Sequence, residues 1–437
     1  MVEIVKKQNI GGLNSLNRAG CVENIRDEAH ITVYLDYAAT TPVDARVIST
    51  MSKYLGVDGI FGNPASQSHG FGREAEKAVE KARKQVANLI GADPSEVIWT
   101  SGATESINLA IKGVAHGNKN LGKHLVTSSL EHKAVLDTCK QLEQQGFEVT
   151  YLHPDMQGLI SLKSVKEALR DDTILVSLMH VNNEVGTITD IRAIGEITQP
   201  RGIIFHVDAA QSVARLPIDV KSIKADLISL SSHKMYGPKG VGALYVRRSS
   251  HIHIEPQIHG GSQEHGLRPG TLATHQVAGM GEASDLILEY RARDTIRYET
   301  LDSRLLNHLR AIECITINGS QANRVAGILN IGFACVESES LMMLLKDLAI
   351  SSGSACTSSD IEPSHVLLSL GLSEDMANCS VRFSLGRFTT IEEIDFVADR
   401  VYHTVDALRQ LSSQWQSLRG DIHTTDSFSQ DRDALTS

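Results

Sequence analysis

Between residues 45 and 290 the sequence alternates short apolar runs, typical of β-strands, with segments of helical periodicity. Several of these runs are continuously apolar, which is typical of strands covered on both faces. Strands that alternate with helices form a mostly parallel sheet between two helical layers. The pattern therefore predicts a doubly wound, mostly parallel, seven-stranded α/β domain. The predicted strands are Glu96–Thr100, Leu125–Ser128, Val149–Leu152, Thr173–Val181, Gly202–Asp208, Asp226–Leu230 and Ala243–Val246.

The clearest predicted helix runs from Arg73 to Ile90. Apolar residues recur there at spacings of three and four, and Gly91 follows as a stop signal. After about residue 290 the pattern shifts to helices with fewer strands, which indicates a second, smaller α+β domain. We expect a flexible arm at 1–30, a large domain at 45–290, a small domain made of 31–44 plus 291–417, and a disordered tail at 418–437.

Composition argues against several classes of protein. The chain has 437 residues and a net charge of -10, which does not favour direct nucleic-acid binding. No apolar stretch is long enough for a membrane span, and the first thirty residues lack the pattern of a targeting leader. The 6 cysteines include no CxxC pair. We therefore expect a reduced protein in the cytoplasm.

A lysine directly follows one predicted strand, in the run Ser231-Ser232-His233-Lys234. Lysine at such a position can bond an aldehyde cofactor as a Schiff base, while Ser231 and His233 can hold a phosphate group. This combination indicates pyridoxal 5'-phosphate (PLP). Many strand ends carry a lysine, so the interpretation depends on finding the rest of the site at other strand ends.

Polar residues do follow other predicted strands, where ligands bind in open α/β sheets. Ala103 and Thr104 come after a strand, a glycine turn and a helix start, so free N–H groups and a hydroxyl can grip phosphate. Asp208 closes another strand and can pair with a protonated pyridine nitrogen. Gln211 can bond the ring hydroxyl. Ordinary helix capping is the competing interpretation of Thr104 and Asp208.

Three further residues suit the handling of an amino-acid substrate. His132 can stack on a cofactor ring and move protons near neutral pH, although a single histidine is more often structural. Asn183 can reach a substrate carboxylate or the ring hydroxyl. Arg382 can clamp an amino-acid carboxylate through two hydrogen bonds.

Cys356 differs from the other cysteines in its surroundings. It lies in the hydroxyl-rich run Ser351–Ser359, which has no apolar periodicity and is typical of a mobile surface loop. An exposed thiol on such a loop can attack a substrate and then carry the product away. An incidental surface cysteine is the alternative.

These segments together resemble the IscS-type (class I, NifS-like) cysteine desulfurases, from about Val33 to Trp415. The resemblance implies a fold-type I PLP-dependent homodimer that takes sulfur from L-cysteine, releases L-alanine and leaves a persulfide on Cys356. The motifs that carry it are Tyr34–Pro42, Phe61–Ser66, Thr100–Ser106, His180–Glu184 and Ser351–Ser358.

The resemblance also implies a role for each site residue. Lys234 carries the cofactor and removes the Cα proton of the substrate, Asp208 pairs with the pyridinium nitrogen, and His132 stacks and moves protons. The remaining implied contacts are Gln211 to the ring oxygen, Ala103, Thr104, Ser231 and His233 to the phosphate, Thr271 to the phosphate of the neighbouring subunit, and Arg382 with Asn183 to the cysteine carboxylate.

The partners implied by the resemblance are an iron–sulfur scaffold and sulfur carriers for tRNA thiolation. Cys356 would be a transient iron–sulfur ligand shared with the scaffold, and no direct nucleic-acid or membrane contact is expected. Relatives commonly carry arginines where this chain has His251, His253 and His265, which predicts partner docking that strengthens as these histidines protonate. The tail after Trp415 also departs from that of the relatives, and this weakens the case for scaffold docking.

Two other functions fit parts of the pattern. A different PLP reaction, by an aminotransferase or a selenocysteine lyase, would keep the cofactor. Cys356 argues against the aminotransferase, which needs no nucleophilic thiol, whereas selenium could replace sulfur in a lyase. A catalytically inactive scaffold paralogue fits the altered tail, but it has no chemical use for Lys234, Asp208 and Cys356 together.

Overall fold

The computed structural model describes residues 33–352 and 363–418. Its strands are β1 (Val33–Tyr34), β2 (Val97–Thr100), β3 (His124–Ser128), β4 (Glu148–Leu152), β5 (Thr173–Met179), β6 (Ile204–Asp208), β7 (Leu227–Ser231), β8 (Gly242–Val246), β9 (Ile315–Asn318), β10 (Ile328–Phe333), β11 (Leu348–Ala349), β12 (Ser351–Ser352) and β13 (Ser380–Ser384). Its α-helices are α1 (Ala45–Ser52), α2 (Gly70–Ile90), α3 (Ala103–Gly117), α4 (Lys133–Glu143), α5 (Leu162–Ala168), α6 (Ile191–Thr198), α7 (Val220–Ile223), α8 (Thr274–Leu309), α9 (Ser338–Leu344), α10 (His365–Ser369), α11 (Glu374–Asn378) and α12 (Ile391–Leu411).

The largest sheet has 7 strands in the order β2-β8-β7-β6-β5-β3-β4. Strands β4, β3, β5, β6 and β7 are parallel to their neighbours in that run, whereas β8 is antiparallel to both β7 and β2. Strands β5, β6 and β7 are buried along their whole length. Helices α3 and α4 pack in one core cluster and α2 and α8 in another. The predicted doubly wound, mostly parallel sheet is confirmed.

All seven strands predicted from the apolar runs are present, with ends that differ by one or two residues. The predicted strand that extended to Val181 ends at Met179 instead, because Val181 pairs across a turn with Ile188. The predicted helix from Arg73 begins three residues earlier, at Gly70. The helix starts where His69 caps it, because the His69 Nδ1 accepts the Gly72 N–H at 3.2 Å. The spacing of apolar residues did not reveal this start.

The chain after the large sheet builds a second hydrophobic core. Its main sheet has 4 antiparallel strands in the order β12-β13-β10-β9, and β1 pairs in parallel with β11 beside it. Leu329, Ile331 and Phe333 of β10 point into this core with Val397 of α12. The predicted N-terminal arm and almost all of the predicted C-terminal tail lie outside the described residues.

Helix α8 connects the two cores without a break. It has 36 residues, which at 1.5 Å per residue is about 54 Å of helix. Val277 and Leu286 near its start belong to the core under the large sheet, and Leu301 and Leu305 near its end belong to the second core. The helix therefore passes through residue 290, where the sequence pattern changes. Neither α8 nor another helix in the described ranges is long and apolar enough to cross a membrane.

A buried histidine in β6 should make stability depend on pH. The His206 ring is fully buried between Ser177 and Ser229, with each ring nitrogen 2.8 Å from a serine hydroxyl. Desolvation lowers its pKa to about 3, below the ordinary value of about 6.5. Unfolding exposes a histidine that binds a proton below pH of about 6.5, so the free energy of unfolding should fall as the pH falls from there toward the folded-state pKa.

The variant His206→Gln should reduce that pH dependence by about 1.4 kcal/mol per pH unit, the contribution of one proton. The measurement is the free energy of unfolding of the cofactor-free protein in denaturant, at several pH values inside this window. His251→Gln is the control, because His251 is exposed. Equal slopes for wild type and His206→Gln would contradict the prediction.

Candidate active site

A cavity of about 640 Å³ opens beyond the carboxyl ends of β5, β6 and β7, where an open α/β sheet binds its ligand. Its walls come from the segments that follow these strands and β3, from the start of α3, from residues 38–40 and from β13. The predicted site residues that line it are Ala103, Thr104, His132, Asn183, Asp208, Gln211, Ser231, His233, Lys234 and Arg382.

Lys234 lies one turn after β7, in a short 3-10 turn from Ser232 to Lys234. Desolvation by burial lowers the pKa of its ammonium, and the nearby Asp208 carboxylate partly offsets this. A lower pKa increases the fraction of neutral amine at a given pH, and the neutral amine is the nucleophilic and basic form. The position suits both bonding to an aldehyde and proton transfer.

Asp208 is the last residue of β6, and Gln211 follows three residues later. The Asp208 Oδ1 accepts the Ala210 N–H at 2.9 Å, which fixes the carboxylate at the strand end. The Gln211 Nε2 donates to the Ala38 carbonyl at 2.7 Å and keeps a second proton for a ligand. A cationic ring nitrogen and a ring oxygen would both find a suitable partner here.

The start of α3 and the end of β7 form a cradle for an anion. The N–H groups of Ala103 and Thr104 are in the first helical turn, where no intrahelical acceptor exists. The Ser231 hydroxyl is buried and has no hydrogen-bond partner, an arrangement that costs stability unless a ligand accepts the bond. Gly102 before the helix has φ 153°, a conformation that residues with a Cβ rarely adopt.

His233 is held by the loop that follows β1. Its Nδ1 lies 3.1 Å from the Thr40 hydroxyl, and the Thr41 hydroxyl donates to its carbonyl at 2.9 Å. Desolvation, with smaller effects of Lys234 and Lys239, lowers the pKa of His233 to about 4. The ring is therefore neutral at neutral pH. Thr40 belongs to the Tyr34–Pro42 motif, but the sequence alone did not indicate a role for it.

His132 presents one ring nitrogen to the cavity. It caps α4 by accepting the Ala134 N–H on Nδ1 at 3.1 Å, so a neutral ring carries its proton on Nε2. Desolvation by the cavity walls, followed by the Lys234 ammonium, lowers the pKa of His132. A neutral ring is suited to stacking and to donating or relaying one proton.

Arg382 projects from β13 into the cavity between several fixed partners. Its Nη1 donates to the Asn183 carbonyl at 2.9 Å, and its Nη2 donates to Asp36 at 2.7 Å and to the Ser351 hydroxyl at 2.8 Å. Asp36 is the second functional candidate that the sequence analysis did not identify. Its only signal was membership of the Tyr34–Pro42 motif.

Thr271 is not among the described residues that line this cavity. Thr271 is exposed and lines a separate cavity with Gln263 and Glu264. Cys356, predicted as nucleophile and transient iron–sulfur ligand, lies outside the described residues. The described chain stops at Ser352, next to the residue that contacts Arg382.

A larger cavity of about 920 Å³ is lined mainly by the segments 153–161 and 188–192. Its lining includes His153, Asp155, His180 and Arg192, but no lysine among the described residues. It also lacks the buried amine and phosphate cradle found around Lys234. We therefore assign the chemistry to the smaller cavity.

The groups around Lys234 fit PLP. The buried amine can bond the aldehyde, Asp208 can pair with the ring nitrogen, and the unsatisfied Ser231 hydroxyl with the first turn of α3 can hold the phosphate. Each group faces the same cavity, so one molecule can reach them together. The fit to PLP follows from the chemistry and the burial of these groups.

Comparisons with known proteins agree with this chemistry. The family described as Aminotransferase class-V matches residues 33–397. The chain is 58% identical over 392 residues to "Cysteine desulfurase IscS" of Shewanella sp. (strain ANA-3), covering 90% of this chain and 97% of that protein. It is 58% identical over 386 residues to the protein of the same name from Proteus mirabilis (strain HI4320), covering 88% of this chain and 96% of that one.

Solved structures show the same architecture. A "NIFS-LIKE PROTEIN" superposes with a TM-score of 0.80 at 35% identity, covering 86% of this chain and 100% of that one. "SspA in complex with cysteine" superposes with a TM-score of 0.73 at 41% identity, covering 82% and 100%.

Proposed function

The chain belongs to the class V aminotransferase family and, within it, to the IscS-type cysteine desulfurases. On this basis we propose a role for each residue of the site. It is a PLP-dependent enzyme that takes sulfur from L-cysteine. One observation supports these roles. A single cavity is lined by Lys234, Asp208, Arg382 and Ser231, whose hydroxyl has no hydrogen-bond partner.

The phosphate cradle and β6 would hold the cofactor. Ser231, His233 and the first turn of α3 would bind the phosphate, with Asp208 and Gln211 on the ring and His132 stacked against its face. Bound PLP supplies an electron sink that makes the bonds at the substrate Cα and Cβ easier to break. The fixed Asp208 carboxylate favours a protonated ring nitrogen, on which that capacity depends.

Arg382 and Asn183 would bind the carboxylate of L-cysteine. A guanidinium recognises a carboxylate well because it carries a positive charge on several N–H donors, and the Nε–H of Arg382 has no hydrogen-bond partner within the described protein. This contact fixes the substrate Cα near the Lys234 amine. Since burial lowers the pKa of Lys234, the amine can take the Cα proton, and the Nε2 proton of His132 is available in the same cavity.

Cys356 would receive the sulfur. In the sequence it comes four residues after Ser352, and Ser351 contacts Arg382. In the transfer, the Cys356 thiolate forms an S–S bond with the substrate sulfur as the Cβ–S bond breaks. The electron pair of the broken bond stays with the carbon skeleton, which takes up protons and leaves as L-alanine, while Cys356 keeps the persulfide.

The active unit would be a homodimer, with Thr271 contributing to the site of the neighbouring subunit. Thr271 is exposed and is not among the described residues that line the cavity of its own chain, and both observations support this role. The name IscS, carried by the relatives, supports delivery of the persulfide sulfur to an iron–sulfur scaffold, where Cys356 would be a transient cluster ligand. Carriers for tRNA thiolation are a second acceptor, and the cytoplasm is the compartment we propose.

The test of this function is product analysis with purified protein and L-cysteine in the presence of a reductant. We expect equal amounts of L-alanine and sulfide, formed only by protein that shows the visible absorption of bound PLP. Transamination products in place of L-alanine, or turnover after the cofactor has been removed, would overturn the proposal.

A further inference from the structure

Asp36 lies against the guanidinium of Arg382. The Arg382 Nη2 donates to Asp36 Oδ1 at 2.7 Å and to the Ser351 hydroxyl at 2.8 Å, and this hydroxyl itself donates to Asp36 Oδ1 at 2.9 Å. Because Nη2 carries two protons, these two contacts use both of them. Asp36 therefore restrains how far the guanidinium can rotate.

Backbone pairing fixes Asp36 at this place. Asp36 forms a parallel bridge with Ser384, two residues after Arg382 on β13 and so on the same side of the strand. The Tyr34 hydroxyl also donates to the Asp36 carbonyl at 3.0 Å. The register of the two segments therefore brings the Asp36 carboxylate and the Arg382 guanidinium opposite each other, so their contact follows from the backbone pairing.

Asp36 contacts the protein side of Arg382, away from the space for the substrate. Arg382 and Asn183 both line the active-site cavity, whereas neither Asp36 nor Ser351 is among its described lining residues. The side chain of Arg382 is only 10% exposed. Asp36 therefore holds the guanidinium from behind and does not occupy the position of a substrate carboxylate.

We propose that Asp36 is a positioning residue for substrate binding: it orients Arg382 toward the substrate carboxylate and supplies its counter-charge while no substrate is bound. The inference rests on the proposed carboxylate-binding role of Arg382. A buried guanidinium without a partner is unfavourable. Without Asp36 it would turn toward other acceptors and no longer be ready for the substrate.

The charges of Asp36 and Arg382 both act on the pKa of Lys234, which provides a second readout. Asp36 raises the pKa of Lys234 and Arg382 lowers it, so the two effects oppose each other. Loss of the Asp36 charge leaves the Arg382 effect uncompensated. In Asp36→Asn, the pH titration of the visible absorption of the bound cofactor should therefore shift to lower pH. A midpoint that stays in place would contradict the proposal.

The main experiment compares two amines that differ by a carboxylate. L-alanine and ethylamine are each titrated into the PLP-loaded wild type and Asp36→Asn, with visible absorption as the readout of binding. We expect the dissociation constant for L-alanine to rise about 10-fold to 100-fold, the usual effect of losing a hydrogen bond between charged groups, while that for ethylamine stays unchanged. With L-cysteine, KM should rise and kcat should stay nearly constant.

Asp44→Asn is the matched control, because Asp44 also contacts a buried arginine, with its Oδ2 3.3 Å from Arg387 Nη1, but lies away from the cavity. It should leave L-alanine binding unchanged. Cofactor absorption and the thermal midpoint report folding. If Asp36→Asn does not fold, Asp36→Glu, which keeps the charge but moves it by one methylene, should raise the same dissociation constant.

Arg382→Ala separates the two ways in which the idea can fail. If this variant binds L-alanine as well as the wild type does, the proposed role of Arg382 is wrong and the inference falls with it. If Arg382→Ala weakens L-alanine binding but Asp36→Asn does not, or weakens ethylamine binding equally, only the role of Asp36 is overturned.

Discussion

Replacement of Lys234 by alanine should lower the rate of L-alanine formation from L-cysteine by about 10⁴-fold. The proposed role of this residue combines covalent attachment of the cofactor with removal of the Cα proton, and a positioned general base alone contributes up to about 10⁴-fold. Its buried position with a lowered pKa favours the neutral amine that both tasks require. The measurement is the initial rate of alanine formation, normalised to bound PLP.

Lys221→Ala is the control for this prediction, since Lys221 is exposed on α7 and far from the cavity. Its rate should equal that of the wild type. Added ethylamine should partly restore the activity of Lys234→Ala, because a small amine can enter the space left by the side chain and take the proton. A Lys234→Ala enzyme with wild-type turnover would show that another base does this work.

Cys356→Ala should lose sulfide and alanine formation by about 10³-fold or more, because loss of a covalent nucleophile costs up to about 10⁶-fold in enzymes generally. The variant should still load PLP and bind L-alanine with unchanged affinity. Every described residue that lines the cavity is retained in it, so the loss should affect only the sulfur-transfer step. Product analysis and visible titration on one preparation measure both properties.

Cys314→Ala supplies the comparison for an exposed thiol that is not among the described residues lining the cavity. It should keep full activity. After treatment of the wild type with L-cysteine without a reductant, mass spectrometry of peptides should find one added sulfur atom on Cys356. An added sulfur on Cys314 in place of Cys356, or full turnover by Cys356→Ala, would contradict the proposed acceptor.

The sequence predicted the large sheet well because its signals are local. A buried parallel strand is a continuous apolar run, and the glycine or polar residues around it mark its ends within one or two residues. The short strands β1, β11 and β12 gave no such signal, since two residues have no detectable period. The pairing of β1 with β11 joins segments more than 300 residues apart, such as Val33 with Leu348, and β12 pairs with β13, where Ser351 faces Arg382.

The site was predictable where a residue has chemistry of its own. Lys234, Asp208 and Arg382 follow or belong to strands and carry groups that a cofactor or substrate needs. Asp36 and Thr40 act through Arg382 and His233, so their roles became visible only when the distances between distant segments were known. Positioning residues of this kind are difficult to identify from a single sequence.

The continuous helix α8 limits how this protein could be assembled from parts. Separate modules are usually joined by exposed linkers that few contacts cross, and such modules can be exchanged between relatives. Here a cut near residue 290 would divide a helix whose two halves are packed in different cores. Chimeras with a relative should therefore keep α8 from a single parent, together with the residues of both cores that touch it.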